Sequence, residues 1–201
     1  MTPLFYFDFG SPNFYLARHD IAGIERRTGA TFRYVPVLLG GLFKLTGNQA
    51  PMMAFAHIPA KLAHQQNEIR RYAARRDIPF TMNPHFPVTT LMLMRGAVAA
   101  ERRGMLEPYI AAMLRYMWIE PRKLDDPEIL AQSLRDAGLA EAILADAQTP
   151  EVKQQLVDNT EAAAARGVFG IPSFAVGEEI FFGKDSLPEV ERELVAQAPS
   201  S

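Results

Sequence analysis

Ser11 lies in Phe9-Gly10-Ser11-Pro12, where a short aromatic run gives way to a turn and then to a helical pattern. A serine at such a place can act in two ways. Its oxygen can accept from the first helical turn as an ordinary N-cap, which Ser followed by Pro commonly does. Alternatively the free N–H groups and the positive end of the helix dipole can hold an anion, with the hydroxyl donating to it. A thiolate is such an anion: a free thiol of pKa about 8.5 is mostly protonated at neutral pH, and these donors raise its ionised fraction. The chain has no cysteine, so the sulfur would have to be borrowed. That absence also removes disulfides, thiolate metal sites, a Cys nucleophile and thiol–disulfide exchange by the protein itself.

Other residues have competing readings. Ser186-Leu187-Pro188-Glu189 fits a capping box, so Ser186 is expected to cap the last helix and leave the carboxylate of Asp185 for a ligand. Ile171-Pro172 alone would be trans, since only about 5–6% of X–Pro bonds in folded proteins are cis. Lys44 and Asn48 flank a glycine turn, which by itself is an ordinary solvated loop. Arg70, Arg71, Arg75 and Arg76 could attract an aromatic carboxylate, but read more readily as the solvated face of a helix. His57 and His64 would share a helix face only if the helix extended back through Pro59. No acidic partner follows them at ligand spacing, so no metal site is expected. Trp118 follows an apolar stripe and is expected to fill the core.

The elements that must position these groups follow from patterning. Leu4 to Phe9 reads as a buried strand. Phe14, Ala17, Ile21 and Ile24 make the helical stripe that follows, closed by Gly29. Thr31 to Val37 is rich in β-formers, with Pro36 marking an edge or the end of pairing. From about Gly40 to Arg166 only helical segments appear. Among them Val88 to Ala100 is apolar nearly all round and predicts the lobe's central helix. Leu106, Ile110, Met113, Leu114 and Met117 form another core-facing stripe, and Asp126-Pro127 and Thr149-Pro150 read as helix starts. Past Gly167, Ser173 to Val176 and Glu179 to Phe182 predict a hairpin around Gly177, then a helix from about Ser186. The expected fold is therefore α/β: a thioredoxin-like β-α-β and β-β-α (1–39 and 167–201) with a large all-helical insertion (40–166). A net charge of −2 excludes the electrostatic footprint of a nucleic-acid binder, and no apolar run approaches the roughly 18 residues of a membrane span, so the expectation is a cytoplasmic protein.

Asp8-Phe9-Gly10-Ser11-Pro12-Asn13-Phe14-Tyr15-Leu16-Ala17 resembles the active-site opening of the DsbA-like proteins that include 2-hydroxychromene-2-carboxylate isomerases and kappa-class glutathione transferases. Gly167 to Phe174 is similar to the stretch that carries the fold's cis-proline, and Phe182-Gly183-Lys184-Asp185 is a third match. Lys44 to Asn48 and Trp118 to Pro127 resemble further segments of the same isomerases, so the likeness covers nearly the whole chain. It departs at Asn13, at Thr89-Thr90 and at Ser186, where the family more often has an aromatic, Asn-Thr or Asn-Ser, and Arg.

The resemblance implies that glutathione is the cofactor and that Ser11 is the catalytic residue steadying its thiolate. It implies a cis Ile171-Pro172 bond whose main chain pairs with the cysteinyl part, and a γ-glutamyl site at Asp185 and Ser186. Lys44 and Asn48 would reach the glycyl carboxylate or an acidic substrate, Trp118 could stand in the pocket wall, and the protein would be a homodimer. The implied reaction interconverts 2-hydroxychromene-2-carboxylate and trans-o-hydroxybenzylidenepyruvate, an aromatic 2-oxo acid. The alternatives are a kappa-like transferase on another electrophile and a non-catalytic thioredoxin-fold binding module; the latter predicts no affinity for glutathione and indifference to Ser11→Ala.

Overall fold

A strand that begins at Leu4 and is buried from its second residue needs neighbours on both sides, and it finds them in a four-stranded sheet. The computed structural model describes residues 2–197; the first residue and the last four of the 167–201 segment lie outside it. β1 (Leu4–Phe7) pairs in parallel with β2 (Arg33–Pro36) and antiparallel with β3 (Ser173–Val176), which carries β4 (Glu179–Phe182) on its other side. The sheet order is β2-β1-β3-β4. β2 is an edge strand and Pro36 is its last residue, so the missing N–H of Pro36 costs no ladder bond. The hairpin turns at Gly177, whose φ of +60° suits glycine at the first central position of a two-residue turn.

α1 (Pro12–Thr28) starts on Ser11 and ends on Gly29, at φ +73°. The turn between β1 and α1 is anchored on both flanks by buried rings. Phe9 packs edge-on against Tyr109, and Phe14 stacks on Phe7 at 4.9 Å and meets Phe5 at 5.3 Å. Each such ring contributes roughly 1.5–3 kcal/mol by leaving water, so Ser11 is held by the core rather than by its own loop.

Between β2 and β3 the chain is helical: α2 (Leu39–Thr46), α3 (Pro51–Ala54), α4 (Pro59–Arg75), α5 (Leu91–Arg102), α6 (Leu106–Trp118), α7 (Pro127–Asp136), α8 (Ala142–Asp146) and α9 (Pro150–Ala165). A 3-10 turn (Lys184–Ser186) and α10 (Leu187–Ala196) follow β4. Asp126 and Thr149 cap α7 and α9 as their sequence context predicts. α5 is the buried central helix, with every residue from Gly96 to Ala100 in the core, but it begins at Leu91 rather than near Val88. Its N-cap, Thr90, makes no capping bond. Among the described residues no helix is long and apolar enough to cross a membrane.

Candidate active site

Because β3 runs antiparallel to β1 and begins beside Tyr6, the loop entering β3 meets the turn leaving β1. Ser11 and Ile171, 160 residues apart, are brought together there. The Ser11 hydroxyl donates to the Ile171 carbonyl at 2.9 Å and accepts from the Phe14 N–H at 3.3 Å. The Ile171-Pro172 bond is cis, and Ser11 is only 5% exposed. Ser11 is thus both the N-cap of α1 and a donor to the cis-proline loop.

Fewer N–H groups are free at this turn than its position suggests. Pro12 has none, and those of Ser11 and Phe14 bond to the carbonyls of Asp8 and Ser11. Among the described residues the N–H of Asn13 has no acceptor, and the same holds for the N–H of Ile171. The Ile171 carbonyl, expected to be open, is occupied by Ser11.

Asn48 reaches the same loop. Its side-chain amide donates to the Phe169 carbonyl at 2.9 Å, two residues before Ile171. Lys44, on the last turn of α2, is exposed and has no ion-pair or hydrogen-bond partner among the described residues. Asp185 has a 75% exposed side chain, and its Oδ2 accepts from Lys184 at 2.8 Å. Lys184 itself is buried and is held from the other side by Glu68 of α4 at 2.5 Å. A groove of about 620 Å³ between α1, α4 and α10 has Asp185 at its edge but is not lined by Ser11 or Ile171.

Ser186 does not cap α10. Its hydroxyl donates to the Gly183 carbonyl at 2.7 Å, and its backbone is already helical at φ −82°, ψ −7°. The cause is the 3-10 turn, which starts the helical path two residues early and takes up the N–H groups of Ser186 and Leu187 on Gly183 and Lys184. Trp118 is fully buried against Phe80 and Phe86, as expected of a core residue. The arginines of α4 lie on its exposed face, and Arg76, just past the helix end, pairs with Asp20. α4 begins at Pro59, which leaves His57 outside it, and no group of three metal-capable side chains occurs among the described residues.

A model of the DSBA-like thioredoxin domain matches residues 4–195. The chain belongs to this family. Within it, the chain is 29% identical to the 2-hydroxychromene-2-carboxylate isomerase of Sphingobium xenophagum over 195 residues, covering 95% of this chain and 96% of that one. It is 26% identical to glutathione S-transferase kappa 1 of Homo sapiens, covering 83% and 77% of the two chains. A solved 2-hydroxychromene-2-carboxylate isomerase shares the fold with a TM-score of 0.82 at 24% identity, covering 96% and 93%. DsbA of Pseudomonas aeruginosa does so at 0.59 and 16%, covering 98% and 82%. The resemblance read from the motifs and the thioredoxin-like α/β fold with its helical insertion are both borne out.

This DsbA-like chain holds one ionisable group in the site region to which the sequence motifs assign no role. Asp8 is completely buried, and burial pushes its carboxyl pKa up while hydrogen bonds from Leu39, Gly10 and Thr90 pull it down. The signal was present: a carboxylate inside the aromatic run LFYFDF has no place in a buried strand unless several donors await it.

Proposed function

We propose that this chain is a glutathione-dependent isomerase of an aromatic 2-oxo acid, of the type that interconverts 2-hydroxychromene-2-carboxylate and trans-o-hydroxybenzylidenepyruvate. The observation that carries the reading is the Ser11 hydroxyl held on the carbonyl before a cis-proline, in a chain with no sulfur nucleophile of its own. When bound, glutathione supplies a thiolate that adds to the conjugated double bond, lets the resulting single bond rotate and leaves again.

The residues present suit that thiol. The free N–H of Ile171 and its carbonyl offer a short edge on which a cysteinyl backbone can pair like an added strand, and Pro172 fixes the direction of that edge. A serine hydroxyl carries a single proton, which here rests on the Ile171 carbonyl. A ligand N–H donating to that carbonyl would compete with the hydroxyl for its two lone pairs, and a hydroxyl displaced in this way would be free to turn toward sulfur. The Asn13 N–H, at the positive end of α1, is the second donor. Asp185, with Oδ2 held by Lys184, would receive the ligand's ammonium, and Ser186 keeps the turn beside it closed. Lys44 lies free for the glycyl carboxylate, and Asn48 pins the loop before Ile171. In this reading 1–39 and 167–201 form the thioredoxin-like unit, and 40–166 the lobe that adds Lys44 and Asn48.

Titration calorimetry with reduced glutathione tests the reading. Saturable binding is expected in the wild-type protein, weakened only about fivefold by Asp185→Ala, because an ion pair this exposed contributes up to about 1 kcal/mol. Absence of binding in the wild type overturns the proposal. The kappa transferase relative keeps one alternative open, and product analysis separates the two: an isomerase regenerates glutathione, whereas a transferase consumes it in a thioether.

A further inference from the structure

Three helix starts converge on one side chain. Asp8, the residue after β1, is completely buried. Its Oδ1 accepts from the Gly10 N–H at 2.8 Å, in the turn that leads into α1. Its Oδ2 accepts from the N–H of Leu39, the first residue of α2, also at 2.8 Å. The side chain of Thr90, the N-cap of α5, packs against the same turn, and its hydroxyl draws the pKa of the carboxyl down. α2 has no side-chain cap from its own N-cap residue, and Asp8 supplies one from just past the end of β1. A carboxylate at helix N-termini is favoured by the helix dipoles as well as by the N–H groups themselves. The main-chain carbonyl of Asp8 completes the arrangement by accepting from the Ser11 N–H at 3.1 Å.

The space around this carboxylate is filled. A Cβ on Gly10 would meet both Asp8 Oδ1 and the Thr90 methyl at 3.3 Å, so the Ser11 turn rests directly on the clamp. On its second side the clamp fixes the start of α2, the helix that carries Lys44 and leads into Asn48, which in turn holds the Phe169 carbonyl. Both approaches to Ile171, through Ser11 and through Asn48, thus run back to Asp8.

We infer that Asp8 is the positioning residue of the site: its carboxylate sets Ser11 and the Lys44–Asn48 segment at a common distance from the Ile171 loop. The inference rests on the glutathione reading for its catalytic consequence, but not for its structural one. Asp8→Asn keeps the shape while replacing one acceptor oxygen by an N–H donor, so the N–H of Gly10 or of Leu39 loses its partner. Displacing a catalytic group by about 1 Å can cost about 100-fold. A loss of that order in kcat/KM is expected, together with a bound-thiol pKa that rises toward the free value of about 8.5. Thr90→Val should move both quantities less and in the same direction, and Thr90→Ser, which restores the hydroxyl, should recover most of that loss.

The structural arm is read in the unliganded protein, from the backbone amide NMR signals of Gly10, Ser11, Leu39 and Ile171. Displacement of the Ser11 and Ile171 signals in folded Asp8→Asn is the expected result. Signals at their wild-type positions, or an unchanged bound-thiol titration in a protein that is merely less stable, would overturn the inference. If Asp8→Asn does not fold, the same two readouts on Thr90→Val decide, and unmoved signals there also overturn it. If the wild-type protein binds no glutathione, the functional reading fails by itself, and the inference stands or falls on the amide signals.

Discussion

Ser11→Ala is expected to lower kcat/KM by about two orders of magnitude while leaving glutathione affinity within a few-fold, because it removes a donor aimed at developing charge rather than a docking contact. The spectroscopic counterpart is a rise in the pKa of the bound thiol toward its free value of about 8.5, followed by the ultraviolet absorbance of the thiolate. Some stability is lost as well. The hydroxyl caps α1 through Phe14, which is worth about 1 kcal/mol, or roughly 2–4 °C in Tm for a chain of this size. The Phe14 N–H keeps the Ser11 carbonyl as acceptor at 3.1 Å, so the loss should stay near that figure.

Ser11→Cys gives a sharper result, since it puts a thiol at a helix N-terminus, where its pKa falls and thiolate accumulates. Treated with oxidised glutathione, that thiolate should attack one sulfur of the disulfide, release the other half as free glutathione, and leave a mixed disulfide at residue 11 seen as one added glutathionyl group by mass spectrometry. Wild-type protein should add nothing, having no cysteine. If Ser11→Ala retains full turnover and Ser11→Cys forms no mixed disulfide, the sulfur does not dock at this turn and the proposed mechanism is wrong.

What the sequence makes legible is local, and what it hides is long-range. Pro36 at the end of an edge strand, Gly29 and Gly177 at positive φ, and Asp126 and Thr149 as caps each follow from the residue and its immediate neighbours. The cis Ile171-Pro172 bond follows from resemblance, against its base rate. The expectations that fail do so where another contact takes a group that the local pattern assigns elsewhere. Val88 to Ala100 carries a helical pattern, yet α5 waits until Leu91, and its N-cap Thr90 makes no capping bond, its side chain lying against the Gly10 turn 80 positions away. Ser186-Leu187-Pro188-Glu189 spells a capping box, but the preceding 3-10 turn has already bent the backbone. The bond from Asn48 to Phe169 spans 121 residues, and no local signal announces it. The strongest hidden cue is Asp8, whose acidic side chain in an aromatic run is anomalous until the N–H groups of Gly10 and Leu39 are seen to meet it.

Gly96→Ala is expected to destabilise the protein by about 3 kcal/mol or more, although helix propensity alone predicts the opposite. In an isolated helix the change would gain about 1 kcal/mol. In α5 the new Cβ would lie 2.1 Å from Tyr109 Oη and 2.8 Å from its Cζ, distances that real contacts do not reach. Tyr109 is fully buried in α6, with its hydroxyl donating to the Leu93 carbonyl at 2.9 Å and its ring against Phe9. It can retreat only by breaking that bond and pushing on the residue that flanks the Ser11 turn. Overpacking costs about 1–3 kcal/mol or more, and a buried hydroxyl left without a partner costs another 1–3 kcal/mol or so. The expected fall in Tm is about 6–12 °C, with unfolding still cooperative. Tyr109→Phe in the same background removes the nearest atom but leaves the ring carbon in the way, so it should restore part of the loss, and the two changes should be non-additive in a double-mutant cycle. A neutral or stabilising Gly96→Ala would mean that α5 and α6 sit further apart than the Tyr109 hydrogen bond requires. Close contact at this position joins the buried central helix to the Phe9 side of the site, which is why a methyl group here should lower turnover as well as stability.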